Sequence, residues 1–155
     1  MEIGCGVGNF IFPLLESDHF DYFVYACDFS PVAIELLRKN PAYDESRCKA
    51  FVADITDPGF VEKWSEYSSA KSVDIITLIF VLSSISPEKM GLAVENMFKI
   101  LSPGGMVLFR DYGLYDYAMI RFSEGHKISD SFYVRQDGTR AYYFRKGNQT
   151  KHWAQ

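Results

Sequence analysis

Residues 73–82 read VDIITLIFVL, and from Ile75 to Leu82 only Thr77 interrupts the apolar run. A bilayer-crossing helix needs about 20 apolar residues, so this run is too short to span a membrane. A strand with one solvated face would alternate polar and apolar residues, and this one does not. The run therefore predicts a strand over Ser72–Leu82 buried on both faces, as in a parallel sheet covered by helices on either side. That constraint fixes the class to α/β and requires other strands of the same kind.

They are present. Val24-Tyr25-Ala26-Cys27 is a short apolar run ending at Asp28, followed by Ser30-Pro31, an N-cap and first-turn proline. The helix over Val32–Lys39 places Ile34 and Leu37 on one side, and Asn40-Pro41 stops it. Cys48–Ala53 reads as a further strand ending at Asp54, with a helix over Gly59–Tyr67 after Asp57-Pro58. Ser86-Pro87-Glu88 opens another helix, to about Leu101, with Met90, Val94, Met97, Phe98 and Leu101 at helical spacing. Pro103-Gly104-Gly105 breaks it, and Met106–Phe109 is a fifth strand. Strands alternating with helices imply right-handed crossovers, with ligands outside the carboxyl ends of the strands. At 155 residues and 48% apolar content the chain is expected to be one domain, 1–155. Residues 1–110 form its α/β core.

The chain opens MEIGCGVGNF, with Gly4, Gly6 and Gly8 between a strand and the apolar run Phe10–Leu15. Glycines at this density mark backbone at positive φ or backbone approached closely by a ligand. A dinucleotide fingerprint beginning at Gly4 needs glycine at position 9, where Asn9 stands. The pattern acid-x-G-x-G-x-G instead resembles the first motif of methyltransferases that use S-adenosylmethionine, a cation without phosphate. A carboxylate such as Glu2 would attract that ligand and repel a pyrophosphate. On this reading Glu2, Gly4, Gly6 and Gly8 hold the amino-acid end. Asp28, with Phe29 beside it, accepts the ribose hydroxyls, and Asp54 accepts the adenine amino group. Ile55 lies beside the ring, and Ile79 and Phe80 pack on the adenosine or the pocket floor. The bland alternative makes each acid a helix cap or solvated turn, and Ile79 plain core.

Longer stretches narrow the family. GCGVGNFIFPLLE, YACDFSPVAIELL, LIFVLSSISPEKM, PGGMVLFRDYGLYDYAMIRF and FYVRQDGTRAYYF resemble, from Glu2 to about Phe144, the methyltransferase-like family that makes 3-methylcytidine in transfer RNA anticodon loops. They look most like its branch acting on serine transfer RNAs. The resemblance implies a Rossmann-like class I S-adenosylmethionine-dependent fold. It also implies position 32 of the loop as target, seryl-tRNA synthetase as partner, and the cytoplasm, with the nucleus as a further site. Relatives carry a segment before the glycine motif and a helix and two strands after YFF. The fold is therefore expected to be incomplete at both ends, with 147–155 a divergent polar tail. Reduced activity, or a binding module without turnover, is the alternative.

Cytosine N3 carries a lone pair, so methylation needs no prior deprotonation; the enzyme must align the base and tolerate a product of higher positive charge. Asp111 is the candidate catalytic carboxylate, and its alternative is a salt bridge to Arg110 or Arg121. Tyr112 or Tyr115 could stack on an extruded base, and Phe80–Ser84 could line the same pocket. Through 111–146 basic and aromatic residues interleave, which suits loop RNA and makes Arg110, Tyr112, Arg121, Arg135 and Arg140 candidate substrate-binding residues. The same residues also fit a β-hairpin turning at Gln136-Asp137-Gly138 with its aromatics buried. His126 reads as a surface residue.

Charge agrees in sense. Residues 1–109 carry 8 Lys/Arg against 15 Asp/Glu, whereas residues 110–155 carry 8 against 5. An anionic partner for the basic end and chance surface placement both account for this. Cys5, Cys27 and Cys48 form no C-x-x-C pair, which points away from a disulfide framework or zinc site and toward a reducing compartment. No metal and no membrane partner is expected.

Overall fold

A computed structural model describes residues 1–17 and 21–145. Five strands form one parallel sheet: β1 (Glu2–Ile3), β2 (Val24–Asp28), β3 (Cys48–Val52), β4 (Val73–Ile79) and β5 (Leu101–Arg110). Their order is β3-β2-β1-β4-β5. Glu2 pairs with Ala26 on one side and Thr77 on the other, so the order reverses at β1 and opens a crevice at the carboxyl ends of β1 and β4.

Helices cover both faces. α1 (Ile11–Leu15) and α2 (Pro31–Lys39) close one side, where Ile11, Ile34 and Leu37 pack on Ala26 and Ala50. α3 (Phe60–Tyr67) and α4 (Pro87–Ile100) close the other, where Phe60, Trp64, Met97 and Ile100 pack on Phe51, Ile76 and Leu78. Side chains along β2 and β3 are shared between these two layers by the strand's period of two. Burial of each large aliphatic side chain contributes about 1.5–3 kcal/mol. α2 begins as its sequence predicts: Ser30 Oγ accepts from the Ala33 N–H at 3.3 Å, with Pro31 in the first turn.

Three expectations for the sheet need correction. β4 stops at Ile79, not Leu82: Phe80 turns to φ +57 and Leu82–Ser84 forms a 3-10 turn. Nor is β4 buried on both faces throughout. Ile75, Met106 and Leu108 are 45%, 54% and 49% exposed, because no described helix lies over the α1–α2 side of β4 and β5. β5 also starts earlier than expected. Leu101 already pairs with Val73, and the Pro103-Gly104-Gly105 stretch is absorbed as a register shift before Ile75 meets Met106. A Cβ on Gly105 would stand 2.9 Å from the Asp74 and Ser102 carbonyl oxygens, so glycine is required there.

The two sheet edges differ. On β3 the Ala50 N–H donates to Tyr43 Oη at 3.2 Å, the Arg38 guanidinium donates to the Ala50 carbonyl, and the Cys48 N–H donates to the Asp44 carbonyl. That edge is blocked against further pairing. Beyond β5 no further strand pairs into this sheet among the described residues.

After β5 a short helix, α5 (Tyr117–Ile120), leads into an antiparallel sheet of β6 (Lys127–Ser129), β7 (Phe132–Val134) and β8 (Arg140–Tyr142). The expected hairpin is there, with Gly138 at φ +81 and Asp137 Oδ1 accepting from the Thr139 N–H at 2.9 Å. Its aromatics are buried only in part: Phe132 and Tyr143 lie in the interior, while Tyr133, Tyr142 and Phe144 are half-buried. Phe144 stands edge-on to Phe109 at 5.5 Å, seating this sheet against the end of β5. The expected tail, 147–155, and the end of the 111–146 segment lie outside the described residues. No helix among those described is long and apolar enough to cross a membrane.

Candidate functional site

The bend after β1 is built from glycines for two different reasons. Gly4, Gly6 and Gly8 take φ of +70, +52 and +93, where side chains are disfavoured. A Cβ at Gly4 would lie 2.4 Å from Val81 Cγ2, and one at Gly8 2.4 Å from Phe12 Cε2. At Gly6 a Cβ meets nothing within 4 Å. Gly4 and Gly8 are thus backed by protein, whereas Gly6 faces open space.

Asp28 ties the bend to β2. Its Oδ2 accepts from the Gly6 N–H and its Oδ1 from the Ser30 N–H, each at 2.9 Å. Each oxygen keeps a further lone pair. Glu2 lies beneath, 5% exposed, and its Oε2 has no partner. Burial, reinforced by the charge of Asp28, pushes its carboxyl up to about 8.

Asp54 is exposed, and its Oδ1 accepts from the Thr56 N–H and hydroxyl at 2.8 Å, closing a local turn. Ile55 is buried in the core, behind the site rather than at its surface, while Ile79 is half-buried and Phe29 exposed. The sequence reading passed over Asn96, a fully buried residue of α4. Its Nδ2 donates to the Ile55 and Asp57 carbonyls, both at 2.9 Å, and so holds the loop that carries Asp54. A polar residue at a core position of a helix was the available signal.

The segment after β4 joins this half to the next. Val81 packs on Gly4, and the Ser83 N–H donates to Asp111 Oδ2 at 2.9 Å. The Tyr112 N–H donates to Asp111 Oδ1, also at 2.9 Å. Burial raises the Asp111 carboxyl from its ordinary value, opposed by these bonds and by the Arg135 charge. The salt-bridge alternative finds no support: among the described residues no ion pair within 4.0 Å involves Asp111.

Rings and guanidiniums are layered at this mouth. Phe80 and Tyr112 have centroids 4.8 Å apart, tilted by 37°. Arg110 lies 5.4 Å over Phe80, and Arg135 lies 5.2 Å over Tyr112. A cleft of about 550 Å³ opens beside them, lined by Tyr112, Arg121, Phe122, His126, Arg135 and Tyr143. Phe80, Arg110, Asp111 and Arg140 are not part of its lining; Tyr112, next to Asp111 in the chain and packed on Phe80, joins them to it. Arg140 donates to Ser86 Oγ at 2.5 Å and covers Phe132. Arg121 reaches over Tyr117 at 5.5 Å. Tyr115 is exposed and turned to positive φ. His126 is half-buried, with Nδ1 2.7 Å from the Val134 carbonyl, so its neutral form carries the proton on Nδ1. Among the described residues no cluster of His, Cys, Asp or Glu could hold a metal ion.

Residues 1–107 match the family model described as a methyltransferase domain. Over 144 residues the chain is 54% identical to the human tRNA N(3)-cytidine methyltransferase METTL6, covering 93% of this chain and 49% of that protein. Over 148 residues it is 51% identical to mouse tRNA N(3)-cytidine methyltransferase METTL2, covering 95% and 37%. The chain thus spans about half the length, or less, of the curated relatives it matches. Among solved structures, the DhpI-SAM-HEP complex shares the fold with a TM-score of 0.61 at 14% identity, covering 98% of this chain and 65% of that one. The PH0226 protein from Pyrococcus horikoshii OT3 matches with a TM-score of 0.53 at 25% identity, covering 68% and 45%.

Proposed function

The chain belongs to the methyltransferase-domain family, and from that premise we propose that it methylates N3 of cytidine in a transfer RNA anticodon loop, using S-adenosylmethionine. The observation that carries this reading is the link from bend to cleft: Gly6 faces open space beside Asp28, Val81 packs on Gly4, and Ser83 reaches Asp111 at the basic, aromatic mouth. The names of relatives at 54% and 51% identity supply the substrate. Position 32, serine transfer RNAs and seryl-tRNA synthetase come from the narrower resemblance. So do the cytoplasm and nucleus, a placement that the three free, buried cysteines suit.

The residues present fit the cofactor. Gly6 leaves room where a side chain would intrude, and the unpartnered Glu2 oxygen offers a cationic group an acceptor. Asp28 retains acceptor capacity for vicinal hydroxyls. When bound, S-adenosylmethionine supplies an electrophilic methyl carbon; the cytosine N3 lone pair forms the new bond and the carbon–sulfur pair returns to sulfur. The positive charge so passes to the pyrimidine. Asp111, fixed by two backbone N–H groups, stands ready to accept from the base's amino group and to offset that charge. Arg121 and Arg135 take flanking phosphates, and Tyr112 offers a face to the base.

Calorimetry with S-adenosylhomocysteine tests the cofactor half: binding by the wild-type chain and its loss in Asp28→Ala are expected. Mass spectrometry of serine transfer RNA after incubation tests the other half. Transfer RNA bound without any 3-methylcytidine formed would leave a binding module.

A further inference from the structure

The sequence sets Phe80 on the adenosine or the pocket floor, but its backbone conformation marks it out for another role. It is the residue at which β4 ends, it takes φ +57, and 42% of it is exposed. A bulky side chain in the left-handed region is strained, and such strain persists only where neighbours impose it. Here they do. The Phe80 N–H donates to the Arg110 carbonyl at 2.8 Å, while the following residue is seated on the glycine bend. The consequence is a ring that stands beside Tyr112 with Arg110 on it, instead of joining the core as Leu78 and Leu82 do.

Resting on the proposed cytidine methylation, we infer that Phe80 is the platform on which the extruded target pyrimidine stacks. Three observations converge. Phe80 lies in sequence between Ile79 of the cofactor edge and Ser83, which holds Asp111, so its ring stands where the two halves of the site meet. Tyr112, its ring partner, is bonded through its own N–H to that same Asp111. An aromatic face also gains attraction as the ring above it becomes cationic, which is the change that N3 methylation brings. The platform therefore favours the charged product-like ring over the neutral base, and it acts on turnover as well as on binding. Phe80 is a positioning residue in this role, and Asp111 remains the charge-bearing partner.

The test uses the full chain with S-adenosylhomocysteine and an anticodon stem-loop RNA carrying fluorescent pyrrolocytidine at the target position. Stacking on Phe80 quenches that probe. Wild type and Phe80→Tyr are expected to quench it. Phe80→Leu, which keeps an apolar side chain and the backbone strain but removes the ring, and Phe80→Gly, which relieves the strain, are both expected to lose the quench. Each should also lower kcat/KM for methyl transfer about tenfold, the scale of one base–aromatic stack. S-adenosylhomocysteine affinity should stay within about twofold of wild type. Phe80→Gly should melt no lower than wild type, which separates lost stacking from lost folding. Undiminished quench and turnover in both variants would overturn the proposal. So would weakened S-adenosylhomocysteine binding with the quench intact, which would assign the ring to the cofactor's adenine. If the wild-type chain quenches the probe but transfers no methyl group, the reaction falls and the platform stands; if it does neither, both fall.

Discussion

At the scale of single residues, the glycine bend separates stability from ligand room. Gly6→Ala adds a methyl group where nothing lies within 4 Å, so its structural cost is the positive φ alone, about 1–2 kcal/mol. The same methyl group enters the space left for the cofactor. We expect a folded protein with S-adenosylhomocysteine affinity reduced about tenfold or more, read by calorimetry. Gly4→Ala drives its methyl group into Val81 and should show the larger loss in thermal midpoint. Glu2 adds a pH signature. Its folded carboxyl sits at about 8, well above an unfolded glutamate, so the native state holds the proton that the unfolded chain has released. Its contribution to stability is complete below the unfolded value and is lost as pH rises toward 8, with a slope of up to about 1.4 kcal/mol per pH unit. Glu2→Gln should flatten that decline in urea denaturation measured from pH 5 to 9. The acids at strand ends were legible in the sequence as positions. Their bonding was not, because whether Asp28 holds Gly6 or Asp54 closes its own turn depends on backbone N–H groups that carry no sequence signal.

At the scale of elements, the strands and longer helices were legible because period and capping are local properties. Ser30-Pro31 opens and caps α2 as read, and Ser86-Pro87 opens α4 where expected, although Ser86 makes no side-chain cap bond and its Oγ accepts from Arg140 instead. Strand ends were less legible. Phe80, Val81 and Leu82 are as apolar and β-prone as the strand before them; what ends β4 is the fit of Val81 on Gly4, a contact across 77 positions of chain. The short α5 and β6 carry too few residues to show a period. Asn96 shows the same dependence on tertiary structure. One buried amide on α4 holds two carbonyls of the β3–α3 connection, and removing it leaves both without that donor. Asn96→Ala should therefore cost about 1–3 kcal/mol in denaturant unfolding. If Asp54 contacts the cofactor, affinity should fall with it. Loss of stability with unchanged affinity would leave Asp54 as a turn residue only.

At the scale of the whole molecule, charge changes where the structure changes layer. The parallel sheet and its helices carry the acidic excess of residues 1–109, whereas the described residues 110–145 carry 6 Lys/Arg against 5 Asp/Glu, near balance. The topology followed from parallel strands and right-handed crossovers; the bare face over Ile75, Met106 and Leu108 did not, since an apolar strand reads the same whether or not a helix covers it. An acidic body repels RNA in general and leaves the basic cleft to choose where it binds. Arg135 is the test of this arrangement because, besides packing on Tyr112 and donating to Thr139 and to the Arg140 carbonyl, it both lines the cleft and lowers the Asp111 carboxyl. As a phosphate contact, its loss in Arg135→Gln should reduce the salt slope of log K for single-stranded loop RNA by about 0.7. As a neighbour of Asp111, its loss should let burial raise that carboxyl further, moving the acid limb of kcat/KM to higher pH. Arg121→Gln, which also lines the cleft but does not act on Asp111, should change the salt slope and leave the pH limb in place. Identical pH profiles for the two variants would remove Asp111 from the reaction while leaving the cleft as the RNA surface.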